Sequence, residues 1–375
     1  MKIAYLTDID LSSHSGVRIK HIMQCSNWEK LGHEVKIYSI PNTATVNAQQ
    51  IDIPISFEVF DNKISTYFKG GIAAYVRKIF ATSRIIKSLK EFNPDILYVR
   101  SMVYYPGLNR IVRSFISVIE YNTLMEKELE VAGNKRIRFM HGLGYKALNT
   151  SAKAFVGVTE EIALAYGDRY RRPAVAIGNG FDLSSYPLNE MPVNMPSPDR
   201  AQIVFVGSPN MPWHGIDKFY QLSTLVDADF HLVGATYEPD ETSAARKNFI
   251  QHAFMNKKEL GELYSKMDIA IGSLALHRNN LKEATPLKVR EYCTYGLPII
   301  IAYKDTDLSG KEFVLEIDNS EDTIEKNLLV IKAFISKWRG KRIAREEIEQ
   351  LIDYRYKEEK RLSFLQAILK AERTA

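Results

Sequence analysis

The chain has 375 residues, of which 45% are hydrophobic, 25% charged and 11% aromatic, with 20 Gly, 14 Pro and 2 Cys; it is too long for one ordinary domain and suits two. This composition excludes collagen-like, disordered and disulfide-scaffold proteins, and Cys25 and Cys293 alone cannot build a disulfide framework or a thiolate zinc site. The formal charge of +5 is too mild to point to nucleic acid, no stretch approaches a membrane span, and Asp8 and Asp10 fall where a signal-peptide core would form, so a reducing, cytoplasmic setting is expected.

In chain order, residues 2–7 (KIAYLT) read as a strand, followed by a polar loop over 8–16. A helix is predicted over 19–30, with Gly32 at its C-cap position, and a second strand over 34–40. Between Lys63 and Lys90 lie Lys63, Lys69, Arg77, Lys78, Arg84, Lys87 and Lys90 with no acid, interleaved with Tyr67, Phe68, Tyr75, Phe80 and Ile86. Such a segment (63–90) fits an anionic membrane surface; a surface helix with a solvated basic face fits equally. Further elements follow as a helix over 73–92, strands over 96–99 and 117–121, one helix over 126–150, a strand over 154–158, a helix over 160–167 and a strand over 174–177.

Pro187, Pro192, Pro196 and Pro198 then remove backbone donors and disfavour helix before them, which marks 186–200 as a hinge. The alternation restarts with strands over 202–206, 230–233, 269–272 and 298–301 and helices over 216–225, 257–266 and 286–295. A charged helical tail, 343–375, is expected to pack back on the first domain. Alternating strands and helices imply an α/β protein with parallel sheets. The expected domains are 1–185, completed by a helix at about 353–375, and 201–352.

Ligands of open parallel sheets bind beyond the carboxyl ends of the strands. The first such loop, DIDLSSHSG, carries His14 and Gly16; the loop after 202–206, GSPNMPWHG, carries Ser208 and His214. Neither is a G-x-G-x-x-G fingerprint and no G-x-x-x-x-G-K-[ST] occurs, which demotes dinucleotide oxidoreductases and P-loop NTPases. Residues 281–300, LKEATPLKVREYCTYGLPII, are more informative. Thr285 followed by Pro286 reads as a capping hydroxyl and a proline at the first helical position. The free amides of that turn favour a phosphate, and Lys288 adds a charge there. Glu291 shares the face of Lys288, and Glu283 lies at the mouth of the helix. Amides and a lysine would meet a diphosphate while the carboxylates grip sugar hydroxyls; an ordinary capped helix has the same spacing. Arg100 ends a strand at a carboxyl edge, Tyr104 and Tyr105 could stack on a sugar, and His141 reads as a surface residue.

The array Glu283-x7-Glu291 followed by EYCTYGLPII resembles the E-x7-E signature of family-four retaining glycosyltransferases. MKIAYLTDI with LGHEV, IGNGFD, FVGSPNMPWHGID and FMNKKELGELYSKMDIAIGS also resemble segments of that family, in the right order. The resemblance implies the GT-B fold, two Rossmann-like domains facing across a cleft. It implies a nucleotide-sugar donor held by the second domain; a UDP-sugar is expected, and domain closure about the prolines would exclude water. It further implies Glu291 on the ribose hydroxyls and Glu283 at the donor sugar. Ala284, Thr285, Pro286 and Leu287 would meet sugar and phosphates, with His252, Ala253, Phe254 and Met255 bordering the base and Gly16 near the diphosphate. Where the family often carries an arginine and a lysine as phosphate grips, this chain has Ser208 and His214, and Lys288 would replace part of that charge. A first-domain histidine of the family is also missing; Glu120 and Asn122 are available in its neighbourhood, with His14 and Arg100 as further acceptor-side candidates.

The expected activity is therefore retaining transfer to a glycan or lipid-linked acceptor in surface-polysaccharide assembly, such as O-antigen or capsule. No cofactor is expected, and no metal, although the triplets Asp8–Asp10 and Asp305–Asp307 match a manganese-binding pattern of a different glycosyltransferase fold. A nucleotide-sugar epimerase of the same architecture and a non-catalytic sugar-binding protein remain as alternatives.

Overall fold

The computed structural model describes residues 1–13, 16–42, 51–60, 71–131, 133–185, 199–238 and 246–374. The prolines of the expected hinge, His14, Lys63 and Lys69 lie outside them. The chain divides into two compact units, one of Met1–Ile177 with Tyr354–Ala375 and one of Gly178–Asp353.

The first unit runs β1 (Lys2–Thr7), α1 (Gly16–Lys30), β2 (Glu34–Ser39), β3 (Ser56–Val59), α2 (Gly71–Phe92), β4 (Ile96–Arg100), α3 (Leu108–Arg113), β5 (Ser117–Tyr121), α4 (Met125–Val131), α5 (Lys135–Gly142), α6 (Tyr145–Ser151), β6 (Ala154–Gly157), α7 (Glu160–Tyr170) and β7 (Ala174–Ala176). Its seven strands are parallel, in the order β3-β2-β1-β4-β5-β6-β7. Ile3, Ala4, Tyr5 and Leu6 of β1 are all fully buried, as a central strand covered on both faces requires.

The second unit follows as β8 (Ala201–Val206), α8 (Ile216–Leu225), β9 (Ala228–Val233), β10 (Phe249–His252), α9 (Lys257–Tyr264), β11 (Ile269–Ile271), α10 (Leu287–Thr294), β12 (Ile299–Ile301), β13 (Val314–Glu316), α11 (Thr323–Trp338) and α12 (Arg345–Ile352). Its six parallel strands are ordered β10-β9-β8-β11-β12-β13. In both sheets the strand order reverses beside the first strand, which is the doubly wound α/β arrangement. The chain then rejoins the first unit as α13 (Tyr354–Thr374). No described helix is long and apolar enough to cross a membrane.

The single helix predicted over 126–150 is corrected to three. Gly133 sits at φ +70°, a left-handed turn that ends α4, and the Asn134 side chain caps α5 by accepting the Ile137 amide at 3.1 Å. At Gly144, which precedes α6, a Cβ would fall 1.9 Å from the Tyr104 ring. The same packing corrects two further expectations. His141 is buried, its Nδ1 accepting the Tyr104 amide at 3.0 Å, and Tyr104 and Tyr105 are core residues. The basic stretch is corrected as well: Arg77 donates to the Asn42 carbonyl at 2.6 Å, Lys78 pairs with Asp8 at 2.9 Å, and both are buried.

A buried charge cluster holds α1 and α13 to the first sheet. Glu120, on β5, has no exposure. It receives Lys20 at 2.6 Å, the Tyr98 hydroxyl at 2.5 Å and Arg361 at 3.5 Å, with Arg100 at 3.6 Å. Arg361 also pairs with Glu358 at 2.8 Å, and the Trp28 indole donates to that carboxylate at 2.7 Å. Burial alone would raise the Glu120 pKa, but Lys20, Arg361 and Arg100 outweigh it and hold it well below the usual carboxylate range. Burial lowers Lys20 to about 8, against the pull of Glu120. Around the cluster, Leu362, Leu365, Ile368 and Leu369 of α13 pack with Trp28, Tyr98 and Ile177.

Removing one partner of a buried ion network leaves the others uncompensated, at a cost of about 3–5 kcal/mol. Glu120→Ala should therefore lower the urea unfolding free energy of the first unit by about that amount, and adding Lys20→Met should restore part of the loss. A change in the single variant no larger than that of an exposed Glu→Ala control would contradict this account.

Candidate functional site

At the carboxyl ends of the strands in the second unit, β8 and β11 lie side by side at the point of order reversal. The loop leaving β8 carries Ser208 and a short 3₁₀ turn, Pro212–His214. It is pinned to the segment after β11 by the Leu274 and Ala275 amides, which donate to the carbonyls of His214 and Trp213 at 2.9 and 3.3 Å. The Ser208 amide donates to Nδ1 of His214 at 3.3 Å. Burial, then the nearby Lys288, lowers the His214 pKa to about 3. His214 is thus neutral at pH 7, with its proton on Nε2, so it offers a hydrogen bond and no charge.

Lys288 reaches the same place from α10. Its ammonium donates to the Val206 carbonyl at 3.1 Å and sits 4.1 Å from the centre of the Phe205 ring. Burial lowers its pKa to about 7, so the lysine is poised between its charged and neutral forms. Ser208, His214 and Lys288 are brought together at the end of β8.

The start of α10 differs from the expectation. The helix begins at Leu287, and Pro286, with extended backbone (φ −67°, ψ 141°), precedes it without a side-chain cap. Thr285 is not the cap. Its hydroxyl accepts the Asn179 amide at 3.3 Å and its carbonyl accepts Nδ2 of Asn179 at 2.7 Å. The amides of Val289 and Arg290 both turn back to the Pro286 carbonyl, at 3.1 and 3.4 Å, so the Leu287 and Lys288 amides are the pair for which helix geometry supplies no acceptor. The Ala284 amide is committed to the Lys304 carbonyl at 3.2 Å.

Glu291 lies one turn further along α10. It is half-buried and accepts the Tyr264 hydroxyl at 3.3 Å; burial raises its pKa, opposed by Tyr264 and Lys257. Glu283 is bridged to Lys304, whose ammonium is 3.3 Å from its carboxylate, and the Thr306 hydroxyl lies 3.5 Å away. His252 ends β10, and Ala253, Phe254 and Met255 form the loop before Asn256, which caps α9 in a reciprocal box with Glu259. Phe254 is 86% exposed.

Arg290 is the residue that sequence reasoning missed. Fully buried, it grips Asp305 through both terminal nitrogens and Asp307 at 2.7 Å, while its Nε donates to the Asn179 carbonyl at 3.2 Å. A Cβ on residue 178 would fall 2.0 Å from the Asp307 carboxylate, so this approach requires Gly178. The Asp305–Asp307 triplet and the Gly178-Asn179 pair were visible in the sequence, but their shared partner was not. Asp8 of the other triplet is paired with Lys78. Among the described residues no group of His, Cys, Asp or Glu has the arrangement of a metal site.

In the first unit, Gly16 opens α1 at an exposed position. Glu120 is withdrawn from the acceptor-facing set, because full burial and its cationic partners leave it no open face. Asn122 accepts Lys20 at 2.9 Å. Arg100 retains 15% side-chain exposure beside Glu120.

Neither a family model nor any curated protein sequence matches the chain. Solved structures do. Sucrose-phosphate synthase from Thermosynechococcus elongatus is 14% identical over 99% of both chains, with a TM-score of 0.65. The apo form of the lipopolysaccharide outer core galactosyltransferase WaaB is 14% identical over 98% of this chain and 100% of its own, at 0.64. Anabaena Alr3699/HepE in complex with UDP is 15% identical over 98% and 100%, at 0.61. The chain thus has the two-domain α/β fold of GT-B glycosyltransferases.

Because Arg290 fixes α10 to two other segments, Arg290→Ala should cost about 3–5 kcal/mol, measured by denaturant unfolding of the second unit. Arg290→Lys should recover only part of this, since a point charge cannot reproduce the planar fork. Equal stability of Arg290→Lys and the unsubstituted protein would refute the requirement for the fork.

Proposed function

We propose that the chain is a retaining, metal-independent glycosyltransferase that takes a sugar from a UDP-linked donor. Its acceptor is a glycan or lipid-linked oligosaccharide in the assembly of a surface polysaccharide such as O-antigen or capsule. The observation that carries it is the convergence of Ser208, His214, Lys288 and the first turn of α10 at the end of β8, in a fold shared with glycosyltransferases that include a UDP complex. Retention and the polysaccharide setting draw on the E-x7-E resemblance.

Transfer breaks the bond between the anomeric carbon and the phosphate oxygen, and the electron pair leaves with UDP. The acceptor hydroxyl oxygen forms the new bond on the same face, and its proton passes to the departing phosphate. Negative charge therefore grows on the diphosphate, and donors fixed in advance lower the barrier, typically by several kcal/mol. The His214 Nε2 proton, the amides of Leu287 and Lys288, and the Lys288 ammonium are such donors. A diphosphate would draw Lys288 away from the Val206 carbonyl and hold it protonated. Glu291 would take the ribose hydroxyls, and Glu283, steadied by Lys304, the hydroxyls of the donor sugar. Asp305 and Asp307 are both engaged by Arg290, which favours assigning the phosphate charge to these donors over a metal at that triplet.

Calorimetry should show UDP binding weakened about tenfold or more in Glu291→Ala. Affinity should also fall as pH rises through about 7, where Lys288 loses its proton, and Lys288→Gln should flatten that profile. Unchanged affinity in Glu291→Ala would remove the site assignment. Incubating the donor without an acceptor separates the two enzymes, since an epimerase inverts a centre and a transferase leaves the configuration intact; a binding protein transfers no sugar when acceptor is added.

An anionic membrane surface is the partner we assign to the exposed part of α2. Phe80 and Ile79 are exposed, as are Arg84 and Lys87. The exposed Phe139 and Leu143, beside exposed Lys135, Arg136 and Arg138 at α5, support the same reading. Sedimentation with anionic vesicles should fall in a Phe80→Ser, Arg84→Ser, Lys87→Ser triple variant and stay low for neutral vesicles. Equal sedimentation of the variant and the unsubstituted protein would leave α2 an ordinary solvated helix.

A further inference from the structure

Gln202, His231 and His252 form a hydrogen-bonded chain across β8, β9 and β10, and its first member fixes every proton in it. The Gln202 Nε2 donates to the Asp229 carboxylate at 2.9 Å and to the Arg200 carbonyl at 3.1 Å. Both partners are acceptors, so the amide orientation is determined and its oxygen faces Nε2 of His231 at 2.9 Å. An amide oxygen only accepts, which places the His231 proton on Nε2.

Burial, with His252 alongside, lowers the His231 pKa to about 4, so its ring is neutral and Nδ1 is a lone pair. That lone pair lies 2.9 Å from Nε2 of His252 and takes the proton from it. His252 is itself shifted towards the neutral form by burial. A neutral imidazole carries one proton, and here it is spent on His231, so Nδ1 of His252 is left as an acceptor. The two rings lie edge to edge and nearly coplanar, with centroids 5.2 Å apart and planes 8° from parallel, the arrangement an in-plane N–H···N bond requires, and this holds His252 in its orientation.

We propose that His252 determines base specificity, its Nδ1 accepting the ring N–H of uracil, or the corresponding N–H of thymine or guanine. This rests on the reading above, in which residues 252–255 border the base of a nucleoside diphosphate. Cytosine and adenine present a lone pair at the matching ring position and would set one acceptor against another. A site built around a hydrogen bond rejects the analogue that cannot make it, because the polar group is left unpaired.

UDP and CDP form the matched pair for a test, since ring size and phosphates are the same. Calorimetry should give UDP about tenfold or more tighter binding than CDP. His252→Ala should bring the ratio towards unity, mainly by weakening UDP. His231→Phe, which keeps an aromatic ring beside His252 but removes the acceptor, should lower the ratio without weakening CDP. Independently of any variant, long-range proton–nitrogen spectra of the histidine rings at pH 7 should show His252 protonated on Nε2, with its Nδ1 resonance moving when UDP is added. Equal UDP and CDP affinities, an unchanged ratio in His252→Ala, or a proton on Nδ1 would overturn the proposal and leave the nucleotide-sugar reading in place. Binding of none of UDP, CDP, dTDP and GDP would remove both.

Discussion

A buried guanidinium organises the site. Arg290 ties the start of α10 to the Asp305–Asp307 loop and to Asn179, and Asn179 in turn holds Thr285 from both its hydroxyl and its carbonyl. Three segments, one of them more than a hundred residues away, are thereby fixed around one plane of five N–H donors. The direction in which the Leu287 and Lys288 amides face follows from that arrangement. A carboxylate pair buried without Arg290 would carry an unpaid desolvation penalty, so the segments and the arginine stand or fall together.

The first unit solves a similar problem around Glu120, with a different consequence. There, cations from α1, β4 and α13 converge on one carboxylate, and all of them are used to join elements. Lys288 of the second unit is the contrast. It is buried against a carbonyl and an aromatic ring with no carboxylate partner among the described residues, and burial lowers its pKa with nothing there to oppose it. A cation left in this state gains most from an arriving anion, whereas those around Glu120 have nothing further to gain.

Much of the fold was legible. β1, β5 and α8 lie where the residue pattern put them, because uniformly apolar runs between loop signals leave little freedom. The short edge strands β3, β10 and β13 were not, since a few residues with one open flank carry scant hydrophobic signal. The helix α11 was legible and passed over, with Ile324, Leu328, Ile331 and Ile335 at helical spacing. Sequence spacing put Lys288 and Glu291 on one helix, where α10 carries them, but took Thr285 as its cap, whereas the hydroxyl serves a tertiary partner more than a hundred positions away. Glu120 was an acceptor-side candidate because it lies in the neighbourhood of the family's missing histidine, and only the fold could reveal the three cations around it. His231 gave no signal, for a histidine within a strand acquires meaning only from its cross-strand neighbours.

The return of α13 has a bearing on how the molecule is made. On the ribosome, everything in the first unit up to Ile177 emerges before any of Gly178–Asp353, yet Arg361 and the leucines that cover Trp28 come only afterwards. At typical elongation rates the gap is on the order of ten seconds or more. Throughout that interval the nascent amino-terminal half presents an apolar groove and an incompletely balanced acid, while the later half can already mature. Chaperone occupancy during synthesis should thus concentrate on the part translated first, and a premature stop just before Tyr354 would strand it there.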